Sequence, residues 1–436
     1  MADTICAVAT PAGNGGVAII RISGDNALAV ASSIFLPFQS KTPEPRKAIY
    51  GRLTFDGVDD DALGLYFPAP RSFTGEEVVE LQIHGGYYLS QSVVSALIER
   101  GARLAERGEF SKRAVINGRI DISQAEGIID VINANSRTSL RAGSQLMRGN
   151  LKQYVVETQD KITTMLAELN VAIDYPEHDI EYITSEKIKV LSQNLIEEIE
   201  NILKTAKLGQ KIKNGVRVVL VGDPNVGKSS LLNALVGYDR AIVTDIAGTT
   251  RDTLNESYEF DGMLFNVIDT AGIRDTEDKV ESAGIARALG EVERADVVMI
   301  IEEPTSISAP EINHPNIIKV LNKADVQSKN LGEFDVIVSA KTGQNIEALK
   351  QLIFERTIEQ DLIENEVVLT NTRHAECLKN ARISLENTLD ACDMGATLDC
   401  IAIPLKSAWE ALGEITGTNA DDTIIKEIFS RFCLGK

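Results

Sequence analysis

The fold of this chain is decided by residues 216–230, which read VRVVLVGDPNVGKSS. The apolar run Val216–Val221 predicts a buried strand, and Ser230–Val236 predicts a helix after it. The loop between them matches GxxxxGK[ST], in which glycines let backbone N–H groups turn toward phosphates at a helix N-terminus. We therefore expect Lys228 to reach the outer phosphates of a nucleotide and the Ser229 hydroxyl to ligate Mg²⁺. A glycine-rich turn that matches by chance is the alternative, but the order of strand, loop and helix favours the phosphate site.

Three further motifs follow in order, each after an apolar strand pattern. They are Asp269-Thr270-Ala271-Gly272 after Leu264–Ile268, Asn322-Lys323-Ala324-Asp325 after Ile317–Leu321, and Ser339-Ala340-Lys341 after Val336–Val338. The first places a carboxylate near the metal and a flexible N–H group near the γ-phosphate. The Asp325 carboxylate can accept two hydrogen bonds from guanine, which adenine cannot offer, and a backbone N–H of the last motif can donate to the guanine carbonyl. Together with the first loop they predict a GTP site.

Residues 244–252, TDIAGTTRD, form the predicted switch segment. We expect Thr250 to complete the Mg²⁺ shell when the γ-phosphate is present. Arg251 is either an arginine finger acting in cis or a structural partner for a neighbouring carboxylate. The residues expected to contact GTP are Asn225, Val226, Gly227, Lys228, Ser229, Ser230, Thr244, Asp245, Ile246, Ala247, Gly248, Thr249, Thr250, Asp269, Thr270, Ala271, Gly272, Asn322, Lys323, Ala324, Asp325, Ser339, Ala340 and Lys341.

The residue after the Asp269–Gly272 motif is Ile273, where the best-known small GTPases carry a glutamine that orients the attacking water. Another group must then place the water, or hydrolysis is slow. The acidic residues just downstream are Asp275, Glu277, Asp278 and Glu281. Spacing alone does not choose among them.

The rest of the chain predicts a multidomain α/β protein. Apolar strands alternate with helical segments from Val216 to Val338, which is typical of a parallel sheet wound with helices. Helical stripes lie on both sides, at 125–202 and 378–432, and indicate a helical bundle split by an inserted domain. Pro404 stands inside one stripe, so that helix is expected to be kinked or to start near it.

Strand and turn signals mix near the start of the chain, and Val17–Ile22 and Val78–Ile83 are two of the predicted strands. We expect an α+β domain at 1–118, helical segments at 119–210 and 366–436, and the P-loop GTPase domain at 211–365.

Composition sets limits on the partners of the chain. The 436 residues include 64 acidic and 44 basic ones, for a net charge of −20. Such a surface repels nucleic acid on average, so a local basic patch or a basic partner must hold it. No apolar run approaches the ~18 residues needed to span a bilayer, and no signal peptide is evident. The cysteines at 6, 377, 392, 400 and 433 form no CxxC pair, which favours reduced thiols in the cytoplasm.

The chain resembles one family, the tRNA modification GTPase MnmE, also called TrmE, over essentially its whole length. The resemblance rests on the switch segment, on Ile273, on helices at both sides of the GTPase region and on several short motifs. These are Ala9-Thr10-Pro11, Gly15-Gly16-Val17, Arg21-Ile22-Ser23-Gly24, Ser72-Phe73-Thr74-Gly75-Glu76, His84-Gly85-Gly86, Gly108-Glu109-Phe110-Ser111, Gln124-Ala125-Glu126 and the terminal Phe432-Cys433-Leu434-Gly435-Lys436.

The resemblance implies a first domain that binds a tetrahydrofolate derivative, in the methylene or formyl form, and that forms a homodimer. It also implies a flavoprotein partner, MnmG, which holds FAD. Together the two proteins would add a carboxymethylaminomethyl or aminomethyl group to the wobble uridine of certain tRNAs, with the tRNA held mainly by the partner.

Residue roles are implied in the same way. Glu281 matches the acid that orients the attacking water. Asn225 matches a K⁺ ligand, with Thr244, Ile246 and the loop ending near Thr249 completing the shell of that ion. The matches to folate contacts are Arg21, Glu80, Arg119 and Lys436. Cys433 is a candidate catalytic thiol or a small apolar residue beside Phe429 and Phe432.

Two other functions remain possible from the residues alone. A ribosome-assembly GTPase would be expected to carry a basic RNA-binding domain, and no segment looks like one. A stand-alone folate-dependent methyltransferase with a regulatory GTPase would act on tRNA without a flavoprotein.

Overall fold

A computed structural model gives the fold, and it describes residues 3–40, 42–174, 180–237, 255–269, 289–305, 312–326, 333–359, 367–418, 427–430, 432 and 435. The chain divides into two compact units, Met1–Ile129 with Gly413–Lys436, and Asp130–Leu412. The second unit contains both the sheet that precedes the predicted nucleotide loops and most of the helical segments. The finer division at 118, 210 and 365 therefore stays a prediction.

The first unit is built on a mixed sheet in the order β3-β4-β5-β2-β1-β6, in which only β1 and β6 run parallel. Its strands are β1 Ile5–Val8, β2 Val17–Ser23, β3 Ile49–Phe55, β4 Val58–Phe67, β5 Val78–His84 and β6 Arg103–Leu104. Its helices are α1 Ala27–Ser32, α2 Leu36–Ser40, α3 Tyr87–Glu99, α4 Glu109–Ile116 and α5 Ile122–Ile132, the last of which continues into the second unit. The α+β expectation for this part of the chain is confirmed.

Successive side chains of β2 lie alternately on the core face of the sheet and on its opposite face. Ile20 and Ile22 are fully buried, so Arg21 lies on the opposite face of the sheet. The register pairs Arg21 with Glu80 of β5. Two residues that are 59 positions apart in sequence therefore become neighbours.

The second unit contains a sheet in the order β12-β11-β10-β7-β9-β8. The strands are β7 Val216–Val221, β8 Asn255–Phe260, β9 Met263–Asp269, β10 Val297–Glu302, β11 Ile317–Leu321 and β12 Val336–Ile337. Apolar residues cover both faces, since Val218 and Met299 belong to one core and Val219 and Ile300 to the other. Burial on both faces is typical of a parallel sheet and explains the continuous apolar runs.

The strands predicted at Val216–Val221, Leu264–Ile268, Ile317–Leu321 and Val336–Val338 are confirmed with bounds within one residue, as is a fifth strand that the apolar run Val297–Ile301 predicts. The sequence analysis missed β8, which pairs antiparallel with β9 at the edge. In its sequence, NESYEF, the two aromatic residues are separated by a glutamate and follow three polar residues, so no apolar run reveals the strand.

The helices of this unit are α6 Arg137–Arg148, α7 Asn150–Asp174, α8 Ile180–Leu203, α9 Thr205–Asn214, α10 Lys228–Val236, α11 Ile346–Thr357 and α12 Thr372–Asp393, with α13 Leu398–Thr416 beginning in it. Helices α8 and α12, which flank the sheet in sequence, pack against each other, and Arg382 pairs with Glu200 at 3.0 Å. The expectation of a helical bundle split by an inserted domain is therefore confirmed.

The helical periodicity between residues 120 and 208 predicts three long helices, but the structure divides this part of the chain further. A left-handed glycine, Gly149 with φ 92°, separates α6 from α7. Helix α13 begins at Leu398 and runs through Pro404, which excludes a helix start at the proline. The stripe expected up to Phe432 is described only in part, with residues 427–430 helical.

Two expectations from composition can also be compared with the described residues. None of their helices combines the length and the hydropathy needed to cross a membrane. Their four cysteines, Cys6, Cys377, Cys392 and Cys400, are free thiols.

Candidate nucleotide site at the sheet edge

The first loop of the site lies between β7 and α10. Asn225 and Gly227 adopt left-handed backbone with φ of 70° and 94°. The loop folds around the buried Lys228, whose Nζ donates hydrogen bonds to the carbonyl oxygens of Gly222 at 2.8 Å and Asp223 at 2.9 Å. A Cβ at Gly222 would lie 2.3 Å from the Ile301 carbonyl oxygen, so this position requires glycine. The result is a cradle of backbone N–H groups at the start of a helix, which is suited to phosphate.

Two oxygen-bearing side chains meet beside this loop. Ser229, in the first turn of α10, donates a hydrogen bond from its hydroxyl to Asp269 Oδ2 at 3.1 Å. Asp269 is the last residue of β9 and is 7% exposed. Hydroxyl and carboxylate oxygens are the ligand types that Mg²⁺ takes in nucleotide sites. These two predicted residues are brought together as a metal site requires.

The loops after β11 and β12 are tied to the first loop and to each other. Asn322 donates from Nδ2 to the Val226 carbonyl at 2.9 Å, and its Oδ1 accepts from the Ala340 N–H at 3.1 Å. The Ser339 hydroxyl donates to Asp325 Oδ1 at 2.7 Å. Asn322 is almost fully buried, and its hydrogen bonds hold the three loops together.

Asp325 itself is exposed at the mouth of these loops. The hydrogen bond from Ser339 holds the pKa of its carboxyl below the usual value, with smaller contributions from its own backbone N–H and from Lys341 and Lys323. The group is therefore a carboxylate at neutral pH, which accepts hydrogen bonds and donates none.

Glu303, which the sequence analysis missed, also lies at this corner of the site, where it pairs with Lys323. Lys323, with φ 62°, donates from Nζ to the Asn225 carbonyl at 2.7 Å and also pairs with the Glu303 carboxylate. The hydrogen bond from Lys323 lowers the pKa of Glu303. Glu303 directly follows β10, so an acid at the carboxyl end of a predicted strand was the signal that could have identified it.

Several predicted residues lie outside the described part of the chain. These are Thr244, Asp245, Ile246, Ala247, Gly248, Thr249, Thr250, Arg251, Thr270, Ala271, Gly272, Ile273, Glu281, Cys433 and Lys436.

A second cluster of predicted residues lies in the first unit. Arg21 Nε donates to Glu80 Oε1 at 2.9 Å, and its guanidinium lies 5.5 Å from the centre of the Phe73 ring and 5.7 Å from that of Phe110. Arg119 donates from Nε to the Ser72 carbonyl at 3.2 Å. The three described residues expected to contact folate thus lie around the segment 72–80.

Comparisons with known proteins cover the whole chain. It matches the model of the MnmE helical domain over residues 122–433 and that of the GTP-binding protein TrmE N-terminus over residues 4–119. The tRNA modification GTPase MnmE of Clostridioides difficile is 39% identical over 456 residues, with 100% of this chain and 99% of that protein covered. The MnmE of Lactobacillus gasseri is 39% identical over 457 residues, with 100% and 98% covered.

At such identity over the full length of both proteins, similarity extends to every part of the chain. The chain therefore belongs to the MnmE family of tRNA modification GTPases.

Proposed function

We propose that the chain is the GTP-hydrolysing subunit of an enzyme that modifies the wobble uridine of certain tRNAs. The observation that carries this proposal is that the loops after β7, β11 and β12 and Asp269, at the end of β9, lie at one sheet edge. Full-length similarity to tRNA modification GTPases supports the choice of substrate.

Each described loop has a separate task in GTP binding. Lys228 and the N–H groups of the first loop hold the phosphates, while Ser229 and Asp269 supply oxygen atoms for Mg²⁺, which would neutralise phosphate charge in the transition state. Asp325 accepts from the N1–H and amine of guanine. A backbone N–H of the Ser339–Lys341 loop would donate to the guanine carbonyl.

Hydrolysis also requires an oriented water and compensation for charge that develops between the β- and γ-phosphates. We assign the water to Glu281 and the charge compensation to K⁺ held by Asn225, Thr244, Ile246 and Thr249. The hydrogen bond from Lys323 to the Asn225 carbonyl supports a fixed position for the Asn225 side chain.

This assignment predicts that GTP hydrolysis is much faster in potassium chloride than in sodium chloride at equal ionic strength. The reason is that the ion must match the size of a shell fixed by backbone oxygens. Steady-state phosphate release in the two salts measures it, with Asn225→Ala as the variant that should lose the difference. Equal rates in both salts would remove the ion from the mechanism.

For the first unit we propose binding of a tetrahydrofolate derivative that supplies the one-carbon unit. The donor set fits such a ligand, because Glu80 offers an acceptor and Arg21 a donor, and the Arg21 guanidinium lies close to the rings of Phe73 and Phe110. Arg119 and Lys436 would pair with the carboxylates of the folate tail. Cys433 is the candidate thiol near this ligand.

The proposed assembly is a cytoplasmic homodimer that works with an MnmG-type flavoprotein carrying FAD. Deletion of the coding sequence in the native organism, followed by nucleoside analysis of tRNA, tests the whole proposal. We expect the carboxymethylaminomethyl or aminomethyl uridine to disappear and to return with the parent chain but not with Lys228→Ala, which cannot hold phosphates. Unchanged nucleosides together with a defect in ribosome assembly would contradict the proposal and favour a ribosome-assembly factor.

A further inference from the structure

The segment 131–156 has an unusual charge for this protein. It contains four basic residues, Arg137, Arg141, Arg148 and Lys152, and no acidic residue, although the whole chain carries a net charge of −20. The first three of these residues belong to α6. A positive region in an otherwise acidic chain is a place where polyanions are attracted and not repelled.

The three arginines share one face of α6. Arg137, Arg141, Ser144 and Arg148 follow one another at intervals of four, three and four residues, which keeps them on one side of a helix. All three arginine side chains are exposed, while Ala142, Gly143 and Leu146 are buried toward the protein. Within the described part of the chain none of the three guanidinium groups forms an ion pair. We call Arg137, Arg141 and Arg148 the arginine face.

A second acid-free segment shows that this lack of partners is not general. Residues 201–222 carry five basic residues. Lys213 pairs with Asp130 at 2.7 Å, Arg217 pairs with Glu291, and Lys211 lies 3.8 Å from Asp296. Those charges are balanced by acids brought in from elsewhere in the fold, whereas the arginine face is left unbalanced.

The surroundings of the arginine face also favour a contact surface. Leu140 is 47% exposed and Met147 37% exposed on the same helix. Exposed apolar groups beside arginine are typical of interfaces. The start of α6 is firmly held, since the Ser136 hydroxyl accepts from the Ser139 N–H at 3.2 Å and the Thr138 N–H donates to the Gly262 carbonyl at 3.0 Å.

We propose that the arginine face binds the phosphate backbone of RNA, so that this chain itself contacts its tRNA. Guanidinium groups bind phosphate oxygens through paired hydrogen bonds. Eleven residues of helix separate the first arginine from the last, about 17 Å at 1.5 Å per residue, so the charges fit an extended polyanion better than a small ligand. The choice of tRNA as the polyanion rests on the proposed function.

The hydrogen bond between Thr138 and Gly262 connects the helix of the arginine face to a hairpin that leads to the nucleotide site. Gly262 forms the turn between β8 and β9, and β9 ends at Asp269 beside Ser229. RNA bound to α6 therefore acts on a helix that is hydrogen-bonded to the strand hairpin leading to the metal site.

The test compares three full-length proteins: the parent, the variant Arg137→Gln with Arg141→Gln and Arg148→Gln, and a control variant Lys161→Gln with Lys187→Gln and Lys379→Gln. Both variants lose three positive charges, but the control residues lie on α7, α8 and α12. The probe is a fluorescent transcript of a tRNA with uridine at the wobble position. Its Kd is measured by anisotropy at several salt concentrations, and GTP hydrolysis is measured on the same samples.

We expect the arginine variant to bind the transcript at least about tenfold more weakly at low salt, with its slope of log K against log salt reduced by about 2 to 3 for three lost phosphate contacts. The control variant should bind like the parent, and all three should hydrolyse GTP equally fast in the absence of RNA. Parent-like binding by the arginine variant overturns the proposal, as does a parent that does not bind the transcript. If tRNA binding is unchanged but association with the flavoprotein is lost, the surface binds an acidic protein and not RNA. Failure of the proposed function would appear separately, as absence of GTP hydrolysis in the parent.

Discussion

At the scale of single residues, we expect base selectivity to depend on the charge state of Asp325. Its carboxylate offers acceptors only, and the pKa of the group is lowered mainly by the Ser339 hydroxyl. Guanine presents two donors to this position, whereas adenine presents a donor and an acceptor in a different arrangement. An acceptor-only group is therefore selective without contacting any other part of the base.

Replacing Asp325 with Asn should exchange this selectivity. The amide donates where the carboxylate accepted, so affinity for GTP should fall about 100-fold or more through loss of charge-assisted hydrogen bonds, and affinity for xanthosine triphosphate should rise. Competition against a fluorescent guanine nucleotide measures both. Asp261→Asn is the control, because this exposed turn residue with φ 47° tolerates asparagine. Unchanged preference for GTP in Asp325→Asn would show that Asp325 does not read the base.

Glu303 is expected to act through Lys323 and not on the nucleotide directly. Glu303→Gln removes the charge that faces the Lys323 ammonium, so the lysine should hold the first loop less firmly. We expect KM for GTP to rise by up to about fivefold with kcat unchanged, because a partly exposed pair contributes about 1 kcal/mol or less. Steady-state kinetics separates KM from kcat.

Glu303→Asp should recover part of the affinity if the negative charge is what matters. Glu347→Gln serves as the control, since Glu347 is an exposed acid paired with Lys350 on α11. A fall in kcat without a change in KM would mean that Glu303 acts on the chemical step instead.

At the scale of elements, helix α9 packs closely against the backbone of the segment around Leu369. Gly209 lies in the middle of α9, and a Cβ there would lie 2.0 Å from the Leu369 carbonyl oxygen. The Leu369 N–H is in turn bound by the Thr205 hydroxyl at 3.2 Å. Backbone therefore packs directly on backbone where the chain re-enters the helical segments after the sheet.

Gly209→Ala should destabilise the second unit by about 1 to 3 kcal/mol, because the clash outweighs the better helix propensity of alanine. Gly290→Ala is the matched control. Gly290 lies in the helical residues 289–293 with nothing within 4 Å of its Cβ position, so alanine there should be neutral or stabilising by up to about 1 kcal/mol. Urea unfolding of both variants provides the comparison, and equal midpoints would show that the contact at Leu369 yields without cost.

At the scale of the whole molecule, an ion network ties the start of the chain to later parts of the first unit. Arg113 pairs with Asp3 at 2.7 Å, Glu109 at 3.0 Å and Glu76 at 3.1 Å. Arg103 pairs with Glu109 at 2.6 Å. The network therefore joins residues more than 100 positions apart, and it should be sensitive to pH.

Burial raises the pKa of Glu109, but hydrogen bonds from Arg103, the Glu106 N–H and Arg113 outweigh it, and the pKa lies below the ordinary value of 4.5. A folded-state pKa below the unfolded one stabilises the fold above the unfolded value, and this stabilisation is lost as the pH falls through the folded value. We expect Glu109→Gln to be less stable than the parent at pH 7 and to lose less stability on acidification below about pH 4.5. Thermal unfolding as a function of pH measures this.

Glu44→Gln is the control for that experiment, because Glu44 and Lys47 form an exposed pair with side chains 63% and 62% exposed. Its stability should follow the parent at every pH. If Glu109→Gln shows the same pH dependence as the parent, the network does not contribute to stability.

The sequence alone determined the parts of the molecule that local patterns encode. Strands β7, β9, β10 and β11 are buried on both faces, so their sequences are continuous apolar runs. The predicted nucleotide loops follow such runs because parallel strands end at the same edge of a sheet. Edge strand β8 and the boundary at Gly149 were not predicted, since half-exposed strands and short helical breaks leave weak periodicity.

Tertiary structure alone decided which distant groups meet. The pairing of Lys323 with Asn225 and Glu303 depends on three loops arriving at one point, and that of Arg21 with Glu80 depends on strand register. Only the fold showed that Lys211, Lys213 and Arg217 lie beside acidic residues, whereas the arginines of α6 have no acidic partner among the described residues. The physical reason is that periodicity reports the burial of each residue, whereas a contact depends on where two separate elements are placed by packing.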